Sequence, residues 1–248
     1  MKYASRLLVL TLCLLPFARA QEPTAPPARS HAVALSPAEK IWADLMAGNQ
    51  RFASGKPRTR ELKLRRHNLV AGQHPRVVVL TCSDSRVPPE LLFDQSLGDL
   101  FVVRSAGNIA DAVGLGSIEY AVEHLHADVL VVLGHEKCGA VTAACGGEKM
   151  PSANLQAIVD KIAPAVDGAK GYAKGDALLE AAIRENIHQS AKDLLGNSAV
   201  LRHAMKEGRL TIFEALYKLE SGEVERMGKL TLVDPAYKLD VGEVVRVE

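Results

Sequence analysis

Cys82, His135 and Cys138 are the residues of this chain best suited to hold a metal. Cys82 stands in Thr81-Cys82-Ser83-Asp84-Ser85-Arg86-Val87, the other two in Gly134-His135-Glu136-Lys137-Cys138-Gly139. Thiolate sulfur and imidazole nitrogen are zinc donors. Structural zinc usually takes four protein ligands, whereas catalytic zinc keeps one position open. Two Cys and one His therefore read as an open, reactive zinc site. His135 and Cys138 are three residues apart, so both reach one metal if the turn between them opens a helix. Cys82 lies 56 residues before Cys138, so it must end a strand beside theirs.

Asp84 and Arg86 follow the first ligand by two and four residues. Two thiolates cancel the formal charge of Zn²⁺. Such a zinc acidifies water less than one held by three imidazoles, whose water has a pKa of about 7. A carboxylate beside the bound water accepts its hydrogen bond and orients it. Arg86, paired with it in a bidentate fork, keeps that carboxylate ionised. It also stops Asp84 from taking the fourth position itself. A plain loop-stabilising ion pair is the competing reading of these two residues, and the sequence leaves both open.

The elements that position these residues are readable from pattern. Arg76 to Thr81, Leu100 to Arg104 and Asp128 to Gly134 are near-continuous apolar runs, the mark of parallel strands buried on both faces. Ala112 to His126 between the second and third is a helix. Alternation of this kind predicts an α/β fold with a mainly parallel central sheet flanked by helices. Cys82 and His135 then fall at carboxyl ends of strands, where open α/β sheets bind ligands. Ser36-Pro37-Ala38-Glu39 starts a helix with an N-cap, a Pro at the first position and a capping-box Glu. Ile41, Trp42, Leu45, Met46 and Phe52 give it an apolar face. A basic helix is expected over Leu62 to Ala71. Leu155 to Val166, Asp176 to Leu195 and Ser198 to Glu207 read as three more, and Arg209 to Phe213 begins a late strand. Tyr217 to Val224 returns as Tyr237 to Val244. Each copy reads as strand–turn–strand with Gly at the turn, which adds edge strands at the C-terminus. Gly114-Leu115-Gly116 lacks the spacing of a dinucleotide loop and is read as close helix packing.

Composition narrows the setting. The chain has 248 residues, a formal net charge of +1 and 48% hydrophobic content. Near-neutral charge argues against nucleic acid as a partner. Lys2 and Arg6, the apolar run Leu7 to Phe17 and Ala18-Arg19-Ala20 have the form of a secretory signal peptide over 1–20, cleaved after Ala20. The run is too short to span a membrane. The mature protein is then expected in the periplasm or outside the cell, with no membrane association. Residues 21–35 read as a flexible tether, and 36–248 as one domain. Cys13 leaves with the leader, so Cys82, Cys138 and Cys145 remain. An odd number suits a disulfide framework poorly, and zinc accounts for two of the three. Cys145 is read as a buried, inert thiol. The remaining histidines, His188 and His203 among them, have no metal-ligand partner at useful spacing.

Several segments together resemble the β-class carbonic anhydrases. They are Gly48 to Phe52, Gln73-His74-Pro75, Cys82 to Val87, Gly98 to Arg104, Ala106-Gly107-Asn108, Ser117 to Ala121 and Gly134 to Val141. They occur in the family's order over roughly residues 36 to 225. The resemblance implies reversible hydration of CO2 to bicarbonate and a proton by zinc-bound hydroxide, with one Zn²⁺ per chain. Cys82, His135 and Cys138 match the ligands, and Asp84 and Arg86 the dyad. Gln73 matches an amide that bonds substrate oxygen, and the N–H of Gly139 a second such contact. Phe101, Ala106 and Tyr120 match an apolar CO2 channel built partly from a neighbouring subunit. A homodimer or homotetramer follows from the same resemblance.

Two positions depart from relatives. Val79 stands where one subgroup has a Trp lining a bicarbonate pocket, so that pocket is expected to be missing. Glu214 stands where relatives often have Gly, which leaves the local strand geometry open. An alternative activity on the same site is hydrolysis of carbon disulfide or carbonyl sulfide. A zinc-stabilised binding or redox module is the third reading. It would require a fourth protein ligand or a reactive Cys-x-x-Cys, and neither is visible in the sequence.

Overall fold

Among the described residues, six strands form one sheet in the order β2-β1-β3-β4-β5-β6. They are β1 (Val77–Cys82), β2 (Leu100–Ser105), β3 (Val129–His135), β4 (Thr211–Tyr217), β5 (Val224–Val233) and β6 (Lys238–Val241). The computed structural model describes residues 35–233 and 238–241. The expected leader, nearly all of the tether and half of the second repeat lie outside them. β1 to β4 pair in parallel, and β5 and β6 continue the sheet antiparallel. The expected α/β architecture with C-terminal edge strands is what the chain adopts.

β1 and β3 are buried at every position, which is why both read as unbroken apolar runs. Successive side chains alternate between faces. Val78, Leu80, Leu130 and Val132 pack with α4 (Ala112–Glu123), α5 (Gly139–Gly146), α6 (Ala153–Lys170), α7 (Ala177–Asn197) and α8 (Ala199–Lys206). Val77, Val79, Val131 and Phe213 pack on the other face with α1 (Pro37–Ala53) and α3 (Pro89–Leu92). Each fully buried aliphatic side chain contributes about 1.5–3 kcal/mol. Trp42 of α1 stacks against Phe213 at 4.9 Å between ring centroids. The Arg226 guanidinium covers both rings and forks onto Glu39. Val79 is completely buried in this second cluster.

Several boundaries differ from the sequence reading. α2 runs Leu62–Asn68 and not to Ala71. None of its residues is buried, so no apolar packing extends it towards Gly72, whose φ is 159°. α4 stops at Glu123, and His126 has already turned into a left-handed conformation (φ 57°). α6 is longer than expected, starting behind the Ser152 cap and running through Pro164 to Lys170. Gly116 would meet nothing within 4 Å on gaining a Cβ, and Gly114 only ordinary contacts. Close packing therefore does not explain Gly114-Leu115-Gly116. The first repeat behaves as expected: Gly222 (φ 76°) turns the chain from β4 into β5. In the second, Lys238–Val241 is strand and Gly242 onward lies outside the described residues.

Glu214 is buried at 4% exposure and hydrogen-bonds His188 Nδ1 at 2.8 Å. The β4–β5 register shifts between Glu214 and Ala215. A Cβ on Gly228 would come within 3.1 Å of Glu214 Oε2, so a glycine opposite leaves room for the carboxylate. The departure at Glu214 is thus accommodated by a bulge, a histidine and a glycine.

Candidate metal centre

Parallel pairing sets the centre. Thr81 is opposite Leu133 in register, so Cys82 and His135 both emerge at the carboxyl edge of adjacent strands. Thr81 Oγ1 donates to the Leu133 carbonyl at 2.8 Å, fixing the two strand ends together. After β3 the chain turns through Lys137 in the left-handed region (φ 53°). Cys138 is then the N-cap of α5, and Gly139 is its first residue. Those local events bring Cys138 back towards His135.

The structure brings the three expected ligands together. Their donor atoms all lie within 4.8 Å of one another, and all three residues are buried. Cys82 Sγ and Cys138 Sγ are 4.0 Å apart. Two thiolates on one tetrahedral zinc, each bonded at about 2.3 Å, lie roughly 3.8 Å apart. His135 Nδ1 is 2.8 Å from the Glu136 carbonyl oxygen. That oxygen can only accept, so Nδ1 carries the proton and Nε2 presents its lone pair. Nε2 is buried and has no hydrogen-bond partner among the described residues. Such an orphan calls for an explanation, and a metal held with the two sulfurs supplies it. The donor set fits zinc. Between the thiols, the Cys138 S–H is the main cause holding Cys82 well below the usual thiol range, and the same contact pushes Cys138 above it.

Asp84 lies at the rim. Arg86 forks onto it, Nε to Oδ1 at 2.9 Å and Nη2 to Oδ2 at 2.7 Å, and the Arg86 backbone N–H donates to Oδ1 at 2.9 Å. These bonds hold the carboxyl well below the usual carboxylate range. Asp84 Oδ2 is 3.9 Å from His135 Nε2.

Comparison with known proteins decides the family. Residues 77–224 match the family model described as "Carbonic anhydrase". Carbonic anhydrase 2 of Mycobacterium tuberculosis is 38% identical over 185 residues, 73% of this chain and 88% of that protein. The chain belongs to the β-class carbonic anhydrases. The β-carbonic anhydrase CafA of Aspergillus fumigatus superposes with a TM-score of 0.62 at 28% identity, over 75% of this chain and 90% of that one. Two tetrameric β-carbonic anhydrases of Sordaria macrospora share the fold, with a TM-score of 0.60, 23% identity and coverage of 76% and 98%.

The remaining expected site residues of this carbonic anhydrase are distributed unevenly. Phe101 and Tyr120 meet, with ring centroids 6.3 Å apart, and Tyr120 is 48% exposed. Ala106 opens the short 3₁₀ turn Ala106–Asn108 after β2. Gln73 is exposed between α2 and β1, and no hydrogen bond joins it to the centre among the described residues. Cys145 is only partly buried, packed against the larger core cluster, and burial pushes its thiol up.

Two groups were not singled out from sequence. Arg104 donates from Nε to the Cys82 carbonyl at 3.0 Å and from Nη2 to the Asp84 carbonyl at 2.6 Å. The backbone N–H of Gly107 donates to Cys82 Sγ at 3.3 Å. A signal for Arg104 existed, since an arginine closes an otherwise apolar parallel strand. Backbone donation by Gly107 has no side-chain signature.

Proposed function

We propose that Cys82, His135 and Cys138 hold one Zn²⁺ per chain, and that the enzyme hydrates CO2 reversibly to bicarbonate and a proton at that ion. The buried His135 Nε2, without a hydrogen-bond partner among the described residues and within 4.8 Å of two thiols, carries this reading. When bound, zinc supplies the Lewis acidity that makes water a nucleophile near neutral pH.

The chain's own residues do the rest. Asp84 accepts a hydrogen bond from the attacking water at Oδ2, the oxygen with one partner where Oδ1 has two. Arg86 keeps that carboxylate ionised and fixed at the rim of the centre. The N–H of Gly139, at the first position of α5, is free of any intrahelical partner and can hold a substrate oxygen. Phe101, Tyr120 and Ala106 give CO2 an apolar approach. Gln73 serves the centre of a neighbouring copy, and for that reason we propose a homodimer or homotetramer. β2 is an edge strand with half-exposed Phe101, Val102 and Val103, and α4 exposes Val113 beside it. Apolar edges of this kind favour pairing with another chain. Light scattering on the purified protein tests the assembly, and a monomer at micromolar concentration refutes it. Export is proposed on the basic and apolar pattern of residues 2–20, and N-terminal sequencing of the mature protein should begin at Gln21.

The deciding experiment is stopped-flow CO2 hydration with metal content measured on the same sample. About one zinc per chain and a rate above buffer are expected. Zinc-loaded protein with no rate from neutral to alkaline pH overturns the proposal. Parallel assays on carbon disulfide and carbonyl sulfide serve as substrate controls.

A further inference from the structure

The Gly107 N–H that reaches the Cys82 sulfur sits in the short turn Ala106–Asn108. Gly107 has φ 77°, a left-handed conformation outside the helical region that glycine adopts readily. Its carbonyl is taken by a residue 79 positions away: Asn186 Nδ2, on α7, donates to Gly107 O at 2.8 Å. A longer contact runs from the same nitrogen to Asn108 Oδ1 at 3.4 Å. Asn186 is 1% exposed and Asn108 2%.

α7 comes this close because of glycine. A Cβ on Gly134, the residue before His135, would lie 2.5 Å from Ile187 Cγ1. A Cβ on Gly107 would lie 2.6 Å from Ile162 Cδ1 of α6. The two helices thus press directly on the segments next to two of the three ligands. A buried amide on α7 is well placed to set where the turn stands.

From these contacts we propose that Asn186 is a positioning residue of the metal centre. Its side-chain amide clamps the Gly107 carbonyl, which aims the Gly107 N–H at the Cys82 sulfur. This inference rests on the three-residue ligand set proposed above. An N–H donor withdraws charge from the thiolate. It thereby offsets part of the cost of burying charge on that sulfur, so its loss weakens the site. It also fixes the direction from which the sulfur lone pair approaches. Partners one step removed from the metal typically tune affinity by about 10–100-fold.

The test uses the full chain loaded with ¹¹³Cd. Wild type should show a scalar coupling between ¹¹³Cd and the Gly107 amide proton, carried through the Cys82 sulfur. A missing coupling in metal-loaded protein overturns the proposal. In Asn186→Ala that coupling should vanish, and zinc affinity measured by chelator competition should fall about 10–100-fold. Asn186→Asp keeps the volume and removes the donor, so it should behave the same way and serves if the alanine variant does not fold. Either variant, if folded, keeping both coupling and affinity while losing only thermal stability has a merely structural Asn186, and the proposal fails. If wild type binds neither cadmium nor zinc, the ligand set itself is wrong. If wild type binds tightly and the variants match it, only the role of Asn186 is wrong.

Discussion

Two aspartates of this enzyme are each held by arginine, and they are built for opposite ends. Asp94 has a fully buried side chain. Arg51 Nε donates to it at 2.6 Å, the Arg58 backbone and Nε at 3.2 and 3.3 Å, and Arg60 closes the set. Burial pushes its carboxyl up, yet the bonds from Arg51 and Arg58 bring it below its usual value. Every acceptor position is filled, so Asp94 ties α1, the segment after it and the end of α3 into one block. Asp84 has a single arginine and an oxygen with acceptor capacity to spare, 3.9 Å from an unpartnered imidazole nitrogen. A saturated carboxylate is a fastener. An undersaturated one beside vacant donors is available for chemistry. Ion-pair geometry alone does not separate the two; the count of unfilled acceptor sites does.

Breaking the fastener should have the largest effect. Asp94→Asn leaves three guanidiniums around a neutral amide, and the loss of a buried partner typically costs about 3–5 kcal/mol. Denaturant unfolding measures it, and a change below about 1 kcal/mol would place Asp94 among ordinary surface pairs. Asp84→Asn should act on rate instead. Turnover is expected to drop about 10²–10³-fold, or roughly 2.7–4 kcal/mol of barrier, with metal content unchanged. Full turnover in that variant removes Asp84 from the mechanism.

The same substitution sharpens the contrast through pH. Arg86 holds Asp84 below its usual value of 3.8. A depressed carboxyl contributes stability above its unfolded value and loses it as pH falls towards the folded one. The stability difference between wild type and Asp84→Asn should therefore be constant from neutral pH down to about 4–5 and shrink below that. Thermal melts across that range decide, and a difference that grows on acidification contradicts the pairing. Smallest of all should be Arg76→Ala, which removes the exposed pair with Asp128. About 0–1 kcal/mol is expected, declining with salt; a larger loss would mean that this exposed pair also works as a fastener.

The parallel core was legible because β1 and β3 are buried on both sides, so their sequences carry no alternation to misread. The gathering of Cys82, His135 and Cys138 was legible because all three end or follow such strands. Asp94 was not legible. It lies in Phe93-Asp94-Gln95 with nothing to mark it as buried, and its partners come from α1 and the segment after it, 34–43 residues earlier. Helix ends were misjudged where packing decides them. α2 lost residues because none of its surface is buried, and α6 gained them because Ala169, beyond Val166, is still in the core. At Glu214 the sequence shows only a residue out of keeping with its relatives. Its companions His188 and Gly228 sit on different elements, and only the fold unites them.

The pairing of Thr81 with Leu133 has a consequence for how the chain finds its fold. β1 and β3 are both runs of interchangeable aliphatic residues, and a slip of two positions would keep every side chain on its proper face. Apolar packing discriminates poorly against that error. The slip would, however, carry Cys82 about 6–7 Å along the strand from its place beside His135. Only the native alignment gathers all three donors. An ion bound there adds its binding free energy to that alignment and to no other. With an ion bound, the centre would thus proof-read a strand pairing that the valines and leucines around it leave ambiguous.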